Sequence, residues 1–72
     1  MAEFELRLTT GGLVHAYASE GAALAFVRDV VVFAGREAGA QFQLVRVDAS
    51  ARTTVVAEGE ALVRRAVEDR AP

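Results

Sequence analysis

The stretch AFVRDVVVFAG, residues 25–35, decides the fold. Val30, Val31 and Val32, set between Phe26 and Phe33, have the composition of a strand, because β-branched and aromatic side chains suit a pleated surface. A period-two reading, however, puts Arg28 with Val30 on one face and Asp29 with Val27 and Val31 on the other, so each face mixes charge with core. On a wheel at about 100° per residue, Leu24, Val27, Val31 and Ala34 gather on one side, extended by Ala23, Val30, Phe26 and Phe33. Arg28, Asp29 and Arg36 share the narrow remaining arc. This pattern predicts a helix over residues near 20 to 35, with Gly35 or Gly39 as its C-terminal stop. Its valines lose a few tenths of a kcal/mol each in helix propensity, against roughly 1.5–3 kcal/mol gained on burying one. A helix so apolar round its circumference calls for cover on more than one side.

The flanking sequence reads as strands and turns. EFELRL, residues 3–8, alternates Phe4, Leu6 and Leu8 with Glu3, Glu5 and Arg7, the signature of a half-buried strand. TTGG supplies a tight turn, since Gly11 and Gly12 can take positive φ, and LVHAYA returns as the second strand. Ser19 is placed to cap the helix, and Glu20 suits the positive end of the helix dipole. AQFQLVRV and RTTVVAE make a second hairpin across DASA, where Asp48 and Ser50 are turn formers. In the first of these the apolar set switches from Phe42 and Leu44 to Val45 and Val47, which predicts a bulge or burial on both faces. GEALVRRAVEDR closes the chain as an amphipathic helix with Leu62, Val63, Ala66 and Val67 inward and Glu60 placed to pair with Arg64.

The expected fold is α+β, in the order β-β-α-β-β-α, with a four-stranded antiparallel sheet and two helices on one face. EGAAL (residues 20–24) and EGEAL (residues 58–62) each follow a hairpin and open a helix. They mark a candidate pseudo-repeat of two ββα units, residues 3–38 and 40–70, within one domain. Convergence of two alanine-rich helix starts on one opening accounts for the same pattern.

Composition narrows the function. A chain of 72 residues buries only about 60% of its unfolded surface, and without cysteine it has neither disulfides nor a thiolate zinc site to compensate. Its hydrophobic fraction of 53% exceeds the roughly 45–50% of soluble domains, so self-association is the natural outlet. No apolar run has the length of a membrane span and MAEFELRL lacks the layout of a signal peptide, so a cytoplasmic protein without membrane contact is expected. All 8 basic residues are arginine and the net charge is −2, a balance unlike that of nucleic-acid binders.

No catalytic, cofactor-binding or metal-ligating residues emerge. His15 alternates with Leu13 and Tyr17 but has no His-x-x-x-His or His-x-x-Glu partner. An even hairpin loop turns this face to the core, and a three-residue loop turns it to solvent. Ser19 and Ser50 are a cap and a turn residue, and neither lies in a Gly-x-Ser-x-Gly elbow. TTGGL leads into a strand, not a helix, and the absence of lysine excludes a Walker loop. Arg64, Arg65 and Arg70 interleave with Glu60, Glu68 and Asp69 as a salt-bridged helix surface.

With ASEGAALAFVRDVV leading into FQLVRVDASARTTVVAEGEALVRRA, the chain resembles small bacterial β-β-α-β-β-α proteins of unknown function from GC-rich genomes. The resemblance implies no activity. The opening ββα layout is also similar to the antitoxin half of HicB-type toxin–antitoxin pairs, but the Pro-Gly turn and Asp-Thr cap of that pattern are missing. The expected role is therefore a small non-catalytic module, homodimeric through a candidate interface of Phe26, Val30 and Phe33 or through the open sheet face. An antitoxin-like or inhibitor protein that binds another protein is the alternative.

Overall fold

The computed structural model of the chain describes residues 3–68. They form β1 (Glu3–Leu8), β2 (Leu13–Tyr17), α1 (Glu20–Ala34), α2 (Arg36–Gly39), β3 (Phe42–Val47), β4 (Thr53–Glu58) and α3 (Gly59–Glu68). The α+β class and the antiparallel sheet match expectation, whereas the element order is β-β-α-α-β-β-α. The added element has a local cause. Gly35 takes φ 94°, ends α1 with its N–H donating to the Val31 carbonyl, and turns the chain into a second short helix. That helix packs closely because Gly39 is bare: a Cβ there would lie 2.6 Å from Val31 Cγ2 and 3.1 Å from Val63 Cγ2.

The strand order is β2-β1-β3-β4, with every neighbouring pair antiparallel. The two hairpins meet through their first strands, where Leu6 lies opposite Leu44. In the first hairpin the Leu8 N–H donates to the Gly12 carbonyl and Arg7 pairs with Leu13, and a register shift between Leu6 and Arg7 then sets Leu6 opposite His15 and Phe4 opposite Tyr17, which turns His15 and Tyr17 to the helix side. That settles the parity which the sequence left open. His15 is nevertheless exposed, because β2 is an edge strand. In the second hairpin the register shifts between Leu44 and Val45, and the two residues are 0% and 4% exposed. Both features expected of this strand are present, a bulge in the pairing and burial on opposite faces.

One cluster holds the subunit together: Leu6 and Leu44 from the sheet, Ala23, Leu24 and Val27 from α1, and Leu62 and Ala66 from α3. Both helices therefore lie on the same face. α1 begins as predicted, with Ser19 Oγ accepting from the Ala22 N–H at 3.2 Å. Its core stripe is shorter than the wheel implies. Val30 and Val31 are half-buried, and Val32, Phe33 and Ala34 are exposed, so the last turn of α1 stands outside the core.

Candidate interaction surface

The expected interface residues separate along α1. Phe26 belongs to the subunit interior, its ring 5.8 Å from Phe42 in an edge-on contact and 6.4 Å from Tyr17. Tyr17 in turn lies 4.7 Å from His15, and burial pushes its hydroxyl pKa up. Val30 is half-buried. Phe33 is 88% exposed, and its neighbour Val32 is 74% exposed. Val32 was not singled out from the sequence, although the unbroken valine run was the signal: in a helix with one covered side, three consecutive valines cannot all face the core.

The open sheet face is of different character. Cross-strand pairing puts Glu5 beside Val45, and Arg7, Gln43 and Glu58 in one row. Arg7 forms an ion pair with Glu5 on the same strand, and Gln43 Nε2 donates to Glu58 Oε2 at 2.6 Å. Val45 is buried beneath this polar layer. The exposed apolar side chains of the edge strands, Leu13, Val14 and Val55, are divided between the two ends of the strand order. The end of α1 thus carries, among the described residues, the two most exposed large apolar side chains.

Asp48 is occupied with structure. Asp48 Oδ1 accepts from Ser50 Oγ at 2.8 Å and from the Ser50 and Arg52 backbone N–H groups at 3.0 Å each. The Ser50 hydroxyl foremost, then the Arg52 N–H, hold its carboxyl pKa below the usual value. This organises the β3–β4 turn, in which Ala51 takes φ 64°. A shallow depression nearby is lined by Glu3, Ala16, Tyr17, Ala18, Val47, Asp48 and Ala49. Asp48 there is already committed to the turn.

Arg65 Nε donates to Glu20 Oε2 at 2.7 Å, tying α3 to the start of α1. Glu60 reaches Arg36 at 4.0 Å in place of the expected Arg64. Asp69 and Arg70 lie outside the described residues. Among the described residues no polar or charged side chain is buried, no group of three or more His, Cys, Asp or Glu is placed to hold a metal ion, and no helix is long and apolar enough to cross a membrane. Comparison with protein-family models, with characterised proteins and with solved structures gives no match.

Proposed function

We propose that this chain is a non-catalytic interaction module that associates with a second copy of itself through the end of α1. The observation that carries the reading is the exposure of Phe33 and Val32, 88% and 74%, at the end of a helix whose other side already fills the core. A helix with so broad an apolar surface is ordinarily covered over most of it, and here the sheet, α2 and α3 cover α1 but leave Val32 and Phe33 exposed at its end. Closed two-fold dimers are the commonest way for small proteins to cover such a surface.

The energetics suit a modest affinity. Burying Phe33 contributes roughly 1.5–3 kcal/mol per copy, and a two-fold contact counts it twice. A patch of two side chains is smaller than the roughly 800 Å² per partner of a standard interface, so a weak dimer, with Kd approaching the millimolar range, is expected. A dilution series by sedimentation velocity tests this. The sedimentation coefficient should fall toward the monomer value on dilution, and the melting temperature should rise with protein concentration. A species that sediments as monomer at every concentration contradicts the proposal.

A further inference from the structure

We infer that one extra residue in each outer strand, Val14 in β2 and Val56 in β4, guards the free edges of the sheet against pairing with a second copy. The inner strands pair without interruption, since β1 and β3 match residue for residue from Glu3 opposite Val47 to Leu8 opposite Phe42. Both irregularities fall on the outer strands. Leu6 and Arg7 are consecutive in β1, but their partners His15 and Leu13 leave Val14 over. Leu44 and Val45 are consecutive in β3, and their partners Ala57 and Val55 leave Val56 over. An extra residue bends its strand and breaks the even row of outward N–H and C=O groups that a further strand needs. The regular runs that remain, His15 to Tyr17 in β2 and Thr53 to Val55 in β4, are well short of the about five or six residues of an ordinary strand.

These edges need guarding. LVHAY and TTVVAE are rich in the β-branched and aromatic residues that favour strands, and Leu13, Val14 and Val55 are 60%, 40% and 51% exposed. The commoner guards, lysine and proline, are missing, because the chain has no lysine and its one proline is Pro72. Of the aspartate, glutamate and arginine residues only Glu58, at the last position of β4, falls in either strand. Protection therefore lies in the backbone rather than in side-chain charge.

Deleting the extra residues tests this, in a Phe33→Glu background that removes the association proposed above and so starts from a monomer. Deletion of Val14 leaves His15 opposite Leu6 and Leu13 opposite Arg7, restores strict alternation and straightens one edge. A single straight edge can pair with itself about a two-fold axis, so sedimentation velocity should shift from monomer to a closed dimer. Deletion of Val14 and Val56 together opens both edges, and that protein should assemble past the dimer into thioflavin-binding polymers. Val14→Ala keeps the extra residue and should remain monomeric. Ala16→Lys, a charge on the exposed edge, should return the Val14 deletion to monomer. Should the Val14 deletion unfold by circular dichroism, the Val56 deletion reads the same dimer at the other edge. Folded deletions that stay monomeric, an equal dimer in Val14→Ala, a dimer that Ala16→Lys leaves intact, or a double deletion no larger than the single ones overturns the edge guard. So does failure of both single deletions to fold, which assigns the extra residues to the subunit's own packing.

Discussion

Replacing Gly39 by alanine adds one methyl group where α1, α2 and α3 converge, and the outcome can be worked from the contacts. Gly39 is buried at the end of α2, in a helical turn that does not require glycine's freedom at positive φ. Local preference alone therefore favours alanine, by about 1 kcal/mol. Packing opposes it. The added Cβ meets Val31 Cγ2 at 2.6 Å and Val63 Cγ2 at 3.1 Å, against about 3.5–4.0 Å for relaxed carbon contacts. Both valines sit in helices, where β-branched side chains have one strongly preferred rotamer and cannot swing aside. Overpacking of this kind costs about 1–3 kcal/mol, and with the propensity gain subtracted a net loss of up to about 2 kcal/mol remains. In a domain of this size that lowers the melting temperature by up to roughly 15 °C. Urea unfolding followed by circular dichroism, at one fixed protein concentration, measures it. The same substitution in a Val31→Ala background loses its closest contact and keeps only Val63 Cγ2 at 3.1 Å, so it should be less destabilising than in the parent, giving a coupling of about 1 kcal/mol. A Gly39→Ala protein more stable than its parent, with the same effect in both backgrounds, refutes the close approach of α2.

Leu24→Ala should cost about 2–4 kcal/mol in the same assay, because Leu24 is 2% exposed within the central cluster, whereas Val31→Ala, half-buried, should cost less. Ala51→Gly should stabilise by up to about 1.5 kcal/mol, since φ 64° costs an L-residue roughly 1–2 kcal/mol and glycine gives back about 0.5–1 in chain entropy. Acidification provides a further check. Asp48 has its folded pKa lowered from the ordinary 3.8, so its contribution is full above that value and is lost as pH falls through the lowered one. Asp48→Asn should flatten the part of the acid-unfolding curve below about pH 4, and an unchanged pH profile in that variant would contradict the role of the carboxylate.

Much of this fold was legible in the residues because period and turn chemistry agreed. EFELRL alternates and becomes β1, Ser19 caps α1, Asp48 and Ser50 build the second turn, and the switch from Leu44 to Val45 marks burial on both faces. The parity of the first hairpin was not legible, since it depends on a register shift between Leu6 and Arg7 that no turn residue announces. Nor was α2, whose existence rests on a contact between Gly39 and valines distant in sequence. Along α1 the wheel ranked Phe26 and Phe33 alike, because helical angle says nothing about where along its length a helix leaves the sheet. Phe26 lies over Phe42 and Tyr17, while Phe33, two turns later, lies past them. The shared openings EGAAL and EGEAL also diverge locally. Glu20 starts α1 with Gly21 inside the helix, whereas Glu58 ends β4 and Gly59 takes φ 60°.

The most direct test of self-association through the end of α1 is sedimentation equilibrium of the parent beside Phe33→Glu. Phe33 is 88% exposed in the subunit, so the change should leave the dilute monomer's stability within about 0.5 kcal/mol of the parent. At the dimer contact it removes roughly 3–6 kcal/mol of apolar burial from the two copies together and introduces two charges, which should weaken Kd by a hundredfold or more. The account predicts a parent that dimerises and a Phe33→Glu protein that stays monomeric with unchanged circular dichroism. Equal association of the two proteins, or a parent that remains monomeric to millimolar concentration, contradicts it.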